Sequence, residues 1–236
     1  MPNVRLALAQ TNPTVGSIAG NLAGILAVVE EAAAKQADLV VFGEMSVTGY
    51  PIEDLATRES FVLDAELAVR ELAVELKSKG LGHIAVVIGH PSMASAQDQT
   101  GWAIAHNSAS VIVDGKIIGT YNKHHLPNYS VFDEYRTFVS GDKLLSFEHK
   151  GLRFSTVICE DIWQDGGPVS AIRTNNTDLT LVLNGSPFES DKDDRRLALI
   201  RKLAQSQQTN VAYTNLVGGQ DDLVFDGDSL FVDKNL

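Results

Sequence analysis

Three ionisable side chains close three apolar runs: Glu44 ends DLVVFGE, Lys123 ends KIIGTYNK, and Cys159, the only cysteine, ends FSTVIC. In sheets covered by helices, functional groups gather beyond the carboxyl ends of strands, where loops form a crevice on a rigid base. Taken singly, each residue has an ordinary structural explanation. A lone Cys is among the most often buried residue types, a Glu at a strand end is commonly solvated, and a Lys after a hairpin strand is commonly surface. Taken together they make a device. A thiol attacks as thiolate, and a neighbouring ammonium is expected to lower its pKa by favouring the charged form. A carboxylate can accept the thiol proton and return it to a leaving amine. The ammonium can then face the oxyanion of a tetrahedral intermediate, beside the backbone N–H of Glu160. Such a trio would cleave the carbon–nitrogen bond of an amide or nitrile through a thioester. Spacing alone does not select this chemistry, because three residues so widely separated can be chosen in many ways.

The elements that must position them alternate along the chain. NVRLALAQ and ADLVVFGE read as strands, and between them NLAGILAVVEEAAAKQ places Leu22, Ile25, Leu26 and Val29 at helical spacing. A second helix is predicted over 59–79, with Ala65, Ala68, Val69, Leu72 and Leu76 on one face. HIAVVIGH reads as a buried strand, and SASVIVDGKIIGTYNK as a hairpin turning at Asp114-Gly115. LRFSTVICE and DLTLVLNGS are strands flanking a short helix at 168–174, the segment 191–207 is helical, and NVAYTNL is a further strand. FDGDSLFVDKNL resembles the first half of a hairpin, turning at Asp226-Gly227, whose returning strand would lie beyond Leu236.

Composition narrows the class. The 236 residues are 44% hydrophobic and 21% charged, as in ordinary globular domains. One cysteine cannot form an internal disulfide, which points to a reducing compartment and so to the cytoplasm. The apolar run from Val4 to Ala9 is interrupted by Arg5 and is too short for a signal peptide or a membrane span. A formal net charge of −11 argues against phosphate backbones, so neither nucleic acid nor membrane is an expected partner. His124 and His125 are read as loop residues, since no further ligands stand at a spacing that would complete a metal site.

Five blocks then carry a resemblance. FGEMSVTGYP, YNKHHLPNYSVFDEYRTF and VICEDIW resemble the three signature blocks of the nitrilase, or carbon–nitrogen hydrolase, superfamily. LPNYSVFDE in the middle block, NGSPF followed by Lys192, and GGQDDLVFDGDSLF resemble the glutaminase domain of the glutamine-dependent NAD synthetases. The resemblance implies a four-layer α-β-β-α sandwich of the α/β class, filling residues 1–236 as one glutaminase domain truncated at its C-terminal end. It implies Glu44 as general base, Lys123 as catalytic lysine, Cys159 as nucleophile, and Glu134 as a second glutamate orienting the lysine and the attacking water. Tyr129, Ser186 and Lys192 match positions that hold L-glutamine, and Tyr50, Glu160 and Trp163 are expected near the same pocket. Ser130 departs from the pattern, standing where glycine is common. The chemistry needs no metal and no cofactor; ATP and deamido-NAD would be used by a synthetase domain, the covalently linked partner in the family. That domain's Ser-Gly-Gly-x-Asp-Ser loop does not occur in these residues. A homo-oligomer is also implied. Two alternatives stay open on the sequence: a free-standing amidase or carbamoylase of the same superfamily, and a catalytically silent fragment.

Overall fold

The computed structural model describes residues 3–235. Within them the strands are β1 (Leu6–Ala9), β2 (Leu39–Phe42), β3 (Ala85–Met93), β4 (Ala105–Val113), β5 (Lys116–Asn122), β6 (Leu145–His149), β7 (Leu152–Ile158), β8 (Leu179–Asn184), β9 (Asn210–Asn215), β10 (Val217–Gln220), β11 (Leu223–Asp226) and β12 (Leu230–Val232). The helices are α1 (Ile18–Ala34), α2 (Glu59–Ser78), the single turn α3 (Glu134–Thr137) and α4 (Lys192–Gln207).

Two five-stranded sheets form the sandwich, in the orders β1-β2-β3-β4-β5 and β12-β9-β8-β7-β6. In the first, β1, β2 and β3 are parallel; in the second, β7, β8 and β9 are. Antiparallel strands flank these parallel centres. Strand β2 shows why the layers form. Its period-2 geometry sends Leu39 and Val41 into the cluster between the sheets, and Val40 and Phe42 into the cluster under α1 and α2. Buried on both faces, it reads as a continuous apolar run. Helix α1 buries Ile25, Val29 and Ala32 at steps of four and three, and α2 buries Val62, Ala65, Val69, Leu72 and Leu76 in the same way. On the other side α4 buries Ile200, Leu203 and Ala204. Its first two turns continue that face with two cations, Lys192 and Arg196.

The β4–β5 hairpin turns as predicted, with positive φ at both Asp114 (49°) and Gly115 (76°). Two expectations change. The segment expected as a helix at 168–174 is a short 3-10 turn, Gly167–Ala171, entered from positive φ at Gly166 and Gly167 and carrying Pro168 in its first turn. The strand through Phe231 and Val232 is not the first arm of a hairpin: β12 pairs antiparallel with β9 at the edge of the second sheet, through Leu230 to Tyr213 and Val232 to Val211. The hairpin in this region lies upstream: β10 and β11 pair around Asp221-Asp222. Among the described residues no helix is long and apolar enough to cross a membrane.

Candidate active site

The parallel strands deliver their carboxyl ends to one end of the sandwich. Glu44 follows β2, Cys159 follows β7, and Gly185 and Ser186 follow β8. The two sheets are stitched there by backbone and side chain: Glu44 N–H donates to Asn184 O (3.2 Å), and Gly185 N–H donates to Glu44 Oε2 (2.8 Å). Position 185 has to be glycine for this approach. A Cβ there would stand 2.8 Å from the Tyr50 ring and 3.3 Å from Glu44 Oε2.

Lys123, at the end of β5, is completely buried between two carboxylates. Its ammonium lies 2.8 Å from Glu44 Oε1 and 2.9 Å from Glu134 Oε2. Burial alone would pull Lys123 down, but the Glu134 and Glu44 charges outweigh it and hold the lysine well above its usual range. Glu134 is pushed up to about 7, first by burial and then by the Glu44 charge, against the pull of Lys123. Tyr50 is buried and its hydroxyl donates to Glu134 Oε1 (2.8 Å), so it supports the second glutamate rather than lining the cleft over the thiol. Asn107 on β4 donates to Glu44 Oε1 (2.7 Å), and its backbone carbonyl accepts from the Lys123 N–H (2.8 Å). Glu44 thus receives three donors, from Lys123, Asn107 and Gly185.

Cys159 opens the 3-10 turn Cys159–Ile162 with φ at +39°, a left-handed conformation that costs a non-glycine residue about 1–2 kcal/mol. Asp161 holds that turn. Its Oδ2 accepts from Ile158 N–H (3.0 Å) and Tyr121 hydroxyl (2.8 Å), and its Oδ1 accepts from His124 N–H (3.0 Å) and His125 N–H (2.8 Å). One buried carboxylate therefore ties the turn carrying Cys159 to the segment that follows Lys123. The two histidines serve this strut through their backbones.

The expected lowering of the Cys159 thiol is reversed. Burial and the Glu44 charge push it well above its usual range, and Lys123 offsets only part of that. Glu44, which pairs with that lysine, opposes the thiolate that the lysine favours. The thiol is protonated until something removes its proton.

Over Cys159 lies a cleft of about 90 Å³, lined by Tyr129, Glu160, Trp163, Ser186, Glu189, Lys192 and Arg195 among others. All three residues expected to hold substrate face this cleft. Tyr129 is half exposed and its hydroxyl donates to Glu160 Oε2 (2.8 Å). Lys192 is buried and paired with Glu189, and the Arg195 guanidinium lies 5.7 Å from the Trp163 ring centroid. Sequence reading missed Asn107, Asp161, Asn215 and Arg196. Asn107 had one visible signal, an amide among the apolar and small residues of AHNSASVIV, where a buried polar side chain requires a partner.

The carbon–nitrogen hydrolase family model matches residues 5–236. Glutamine-dependent NAD(+) synthetases from Acinetobacter baylyi and Aquifex aeolicus are 40% and 37% identical, over 100% and 97% of this chain but 41% and 38% of their own length. A solved glutamine-dependent NAD+ synthetase from Acinetobacter baumannii, in complex with adenosine diphosphate, superposes with TM-score 0.89 at 39% identity, covering 98% of this chain and 42% of that one. An amidase from Nesterenkonia sp. shares the fold with TM-score 0.80 at 22% identity, covering 99% of this chain and 83% of its own. The chain spans about two fifths of the length of the curated relatives it matches. Both sheets, the helices outside them and the Glu44, Lys123 and Cys159 positions fall inside the matched region, and the chain belongs to the carbon–nitrogen hydrolase family.

Proposed function

We propose that this chain hydrolyses the side-chain amide of L-glutamine to glutamate and ammonia, as the ammonia-producing part of a glutamine-dependent NAD synthetase. The observation that carries the reading is the cleft over Cys159, which presents two carboxylates, Glu160 and Glu189, and two cations, Lys192 and Arg195. A zwitterionic amino-acid end needs one charge of each sign, whereas a simple aliphatic amide needs neither. Tyr129 and Ser186 add hydroxyls to the same wall.

In this reading Glu44 takes the Cys159 proton as the sulfur attacks the amide carbon. The thiol is raised well above its usual range, so Glu44 has to take its proton before or as the sulfur attacks. The C–S bond forms, the carbonyl electrons move to oxygen, and the oxyanion faces the Lys123 ammonium and the Glu160 N–H. Collapse breaks the C–N bond as Glu44 returns its proton to the departing ammonia. Water then gives a proton to Glu44 and attacks the thioester, and glutamate leaves as the thiol re-forms. Glu134 holds Lys123 from the far side throughout. ATP and deamido-NAD take no part in this hydrolysis; they are the substrates of the synthetase domain to which the ammonia would pass.

The test is a comparison of substrates on the purified chain. Glutamine should be hydrolysed several orders of magnitude more efficiently than propionamide, because a site built to pair polar groups is left with them unmatched when they are missing. Comparable efficiency on both would favour a general amidase.

A further inference from the structure

We propose that Arg196 and Asp226, neither of which lines the cleft, form a positioning pair that holds the Ser186–Pro187 wall and sets the affinity of the site for the amino-acid end of its substrate. The proposal rests on the glutaminase reading. Arg196 lies one turn beyond Lys192 on α4, and its side chain is completely buried. The guanidinium fork divides its work. Nη2 donates to the carbonyls of Ser186 (3.0 Å) and Pro187 (3.2 Å), and Nη1 donates to both oxygens of Asp226 (3.0 and 2.8 Å). Asp193 (3.4 Å) and Asp228 (3.9 Å) reach the same Nη1 from more exposed positions.

The wall needs these donors. Ser186 and Pro187 follow β8 without entering another strand, so their carbonyls have no ladder partner. Asn215, at the end of β9, supplies the second clamp. Its Oδ1 accepts from Ser186 N–H (2.9 Å), and its Nδ2 donates to Ser186 O (3.0 Å). With Arg196 added, the backbone of Ser186 is held from both sides, and the residue faces the cleft. Asp226 extends the support outward, because it ends β11, whose Val224 carbonyl accepts from Phe188 N–H (2.7 Å). Wall and hairpin are therefore joined by backbone, through Arg196, and more weakly through Asn215, whose Nδ2 also reaches Asp226 Oδ1 (3.5 Å). A lysine at 196 would gather its donors on one nitrogen, losing the fork that puts the carbonyls on Nη2 and the carboxylate on Nη1.

The pair touches neither Cys159 nor Lys123, so its loss should fall on binding rather than on the thiol. In Asp226→Asn and Arg196→Lys, KM for glutamine should rise about tenfold or more while kcat stays within about threefold. Labelling of Cys159 by a glutamine-analogue chloroketone should slow to match. Labelling by iodoacetamide, which has no amino-acid end, should stay within about twofold of wild type. Asp226→Asn keeps size and shape at a partly exposed position, and it carries the test should Arg196→Lys fail to unfold cooperatively in urea. Unchanged KM and unchanged chloroketone labelling in Asp226→Asn would overturn the proposal. So would an equal loss of both labelling reactions, which would mark a general disturbance of the site. Wild-type protein that takes iodoacetamide at Cys159, yet neither hydrolyses glutamine nor takes the chloroketone, would defeat the glutaminase reading itself.

Discussion

The backbone N–H of Gly185 donates to Glu44 Oε2 across the junction of the two sheets, over 2.8 Å. The carboxylate assigned as base is thus gripped by a group from the opposite sheet, so relative sliding of the sheets would unseat it. Asn107 and Lys123 hold its other oxygen. The acid is oriented on both oxygens before any substrate arrives, which is the preorganisation that proton transfer at a protonated thiol requires.

Cys159→Ala should remove labelling and hydrolysis together. Cys159 is the single thiol, so a chloroketone should add one label per chain of wild type, read by intact mass, and none to the variant. Loss of a covalent nucleophile commonly lowers kcat by several powers of ten. Activity above about a thousandth of wild type would refute the thioester route.

The two glutamates should separate kinetically. Glu44→Gln keeps the shape but removes the base, so a single turnover should show no burst of ammonia in a stopped-flow assay. Glu134→Gln should leave a slow burst, because it loosens the seat of Lys123 without removing the proton acceptor. A full burst from Glu44→Gln would reassign the base.

Glu134 should also write itself into the pH dependence of stability. Its folded pKa, about 7, stands above the ordinary carboxylate value of 4.5, so between those limits the folded state holds a proton that the unfolded state has released. Its contribution is fully present below about pH 4.5 and is lost as pH rises through about 7. Glu134→Gln stays neutral throughout, so its stability relative to wild type should rise across this window and level off above it. The difference is on the order of 3 kcal/mol. Urea unfolding from pH 5 to 8 measures it, and a difference independent of pH would contradict the assignment.

Asp161→Asn should be unexpectedly damaging. All four contacts to Asp161 are donors, so an amide would present its own N–H₂ to two of them whichever way it turned. A loss of about 2–3 kcal/mol is expected, along with a much lower rate of Cys159 labelling as the strained turn relaxes. Wild-type stability and labelling together would show that the turn holds without this strut.

Much of the site is legible in the chain, because strand ends and signature blocks can both be read there. Apolar runs locate β2, β5 and β7, whose ends carry Glu44, Lys123 and Cys159, and the three signature blocks single these out from other strand-end residues. By resemblance, LPNYSVFDE added Tyr129 and Glu134, and NGSPF with the lysine after it added Ser186 and Lys192. The tertiary structure alone decided the supports and the charge balance. Asn107, Asp161, Asn215 and Arg196 act through contacts that fold in from other elements, and beyond the one amide signal at Asn107 nothing local in the chain names their partners. The state of the Cys159 thiol was misjudged for the same reason. A pKa is a sum over burial and every nearby charge, and the sequence shows the lysine without showing the burial of the thiol or the Glu44 charge that opposes a thiolate.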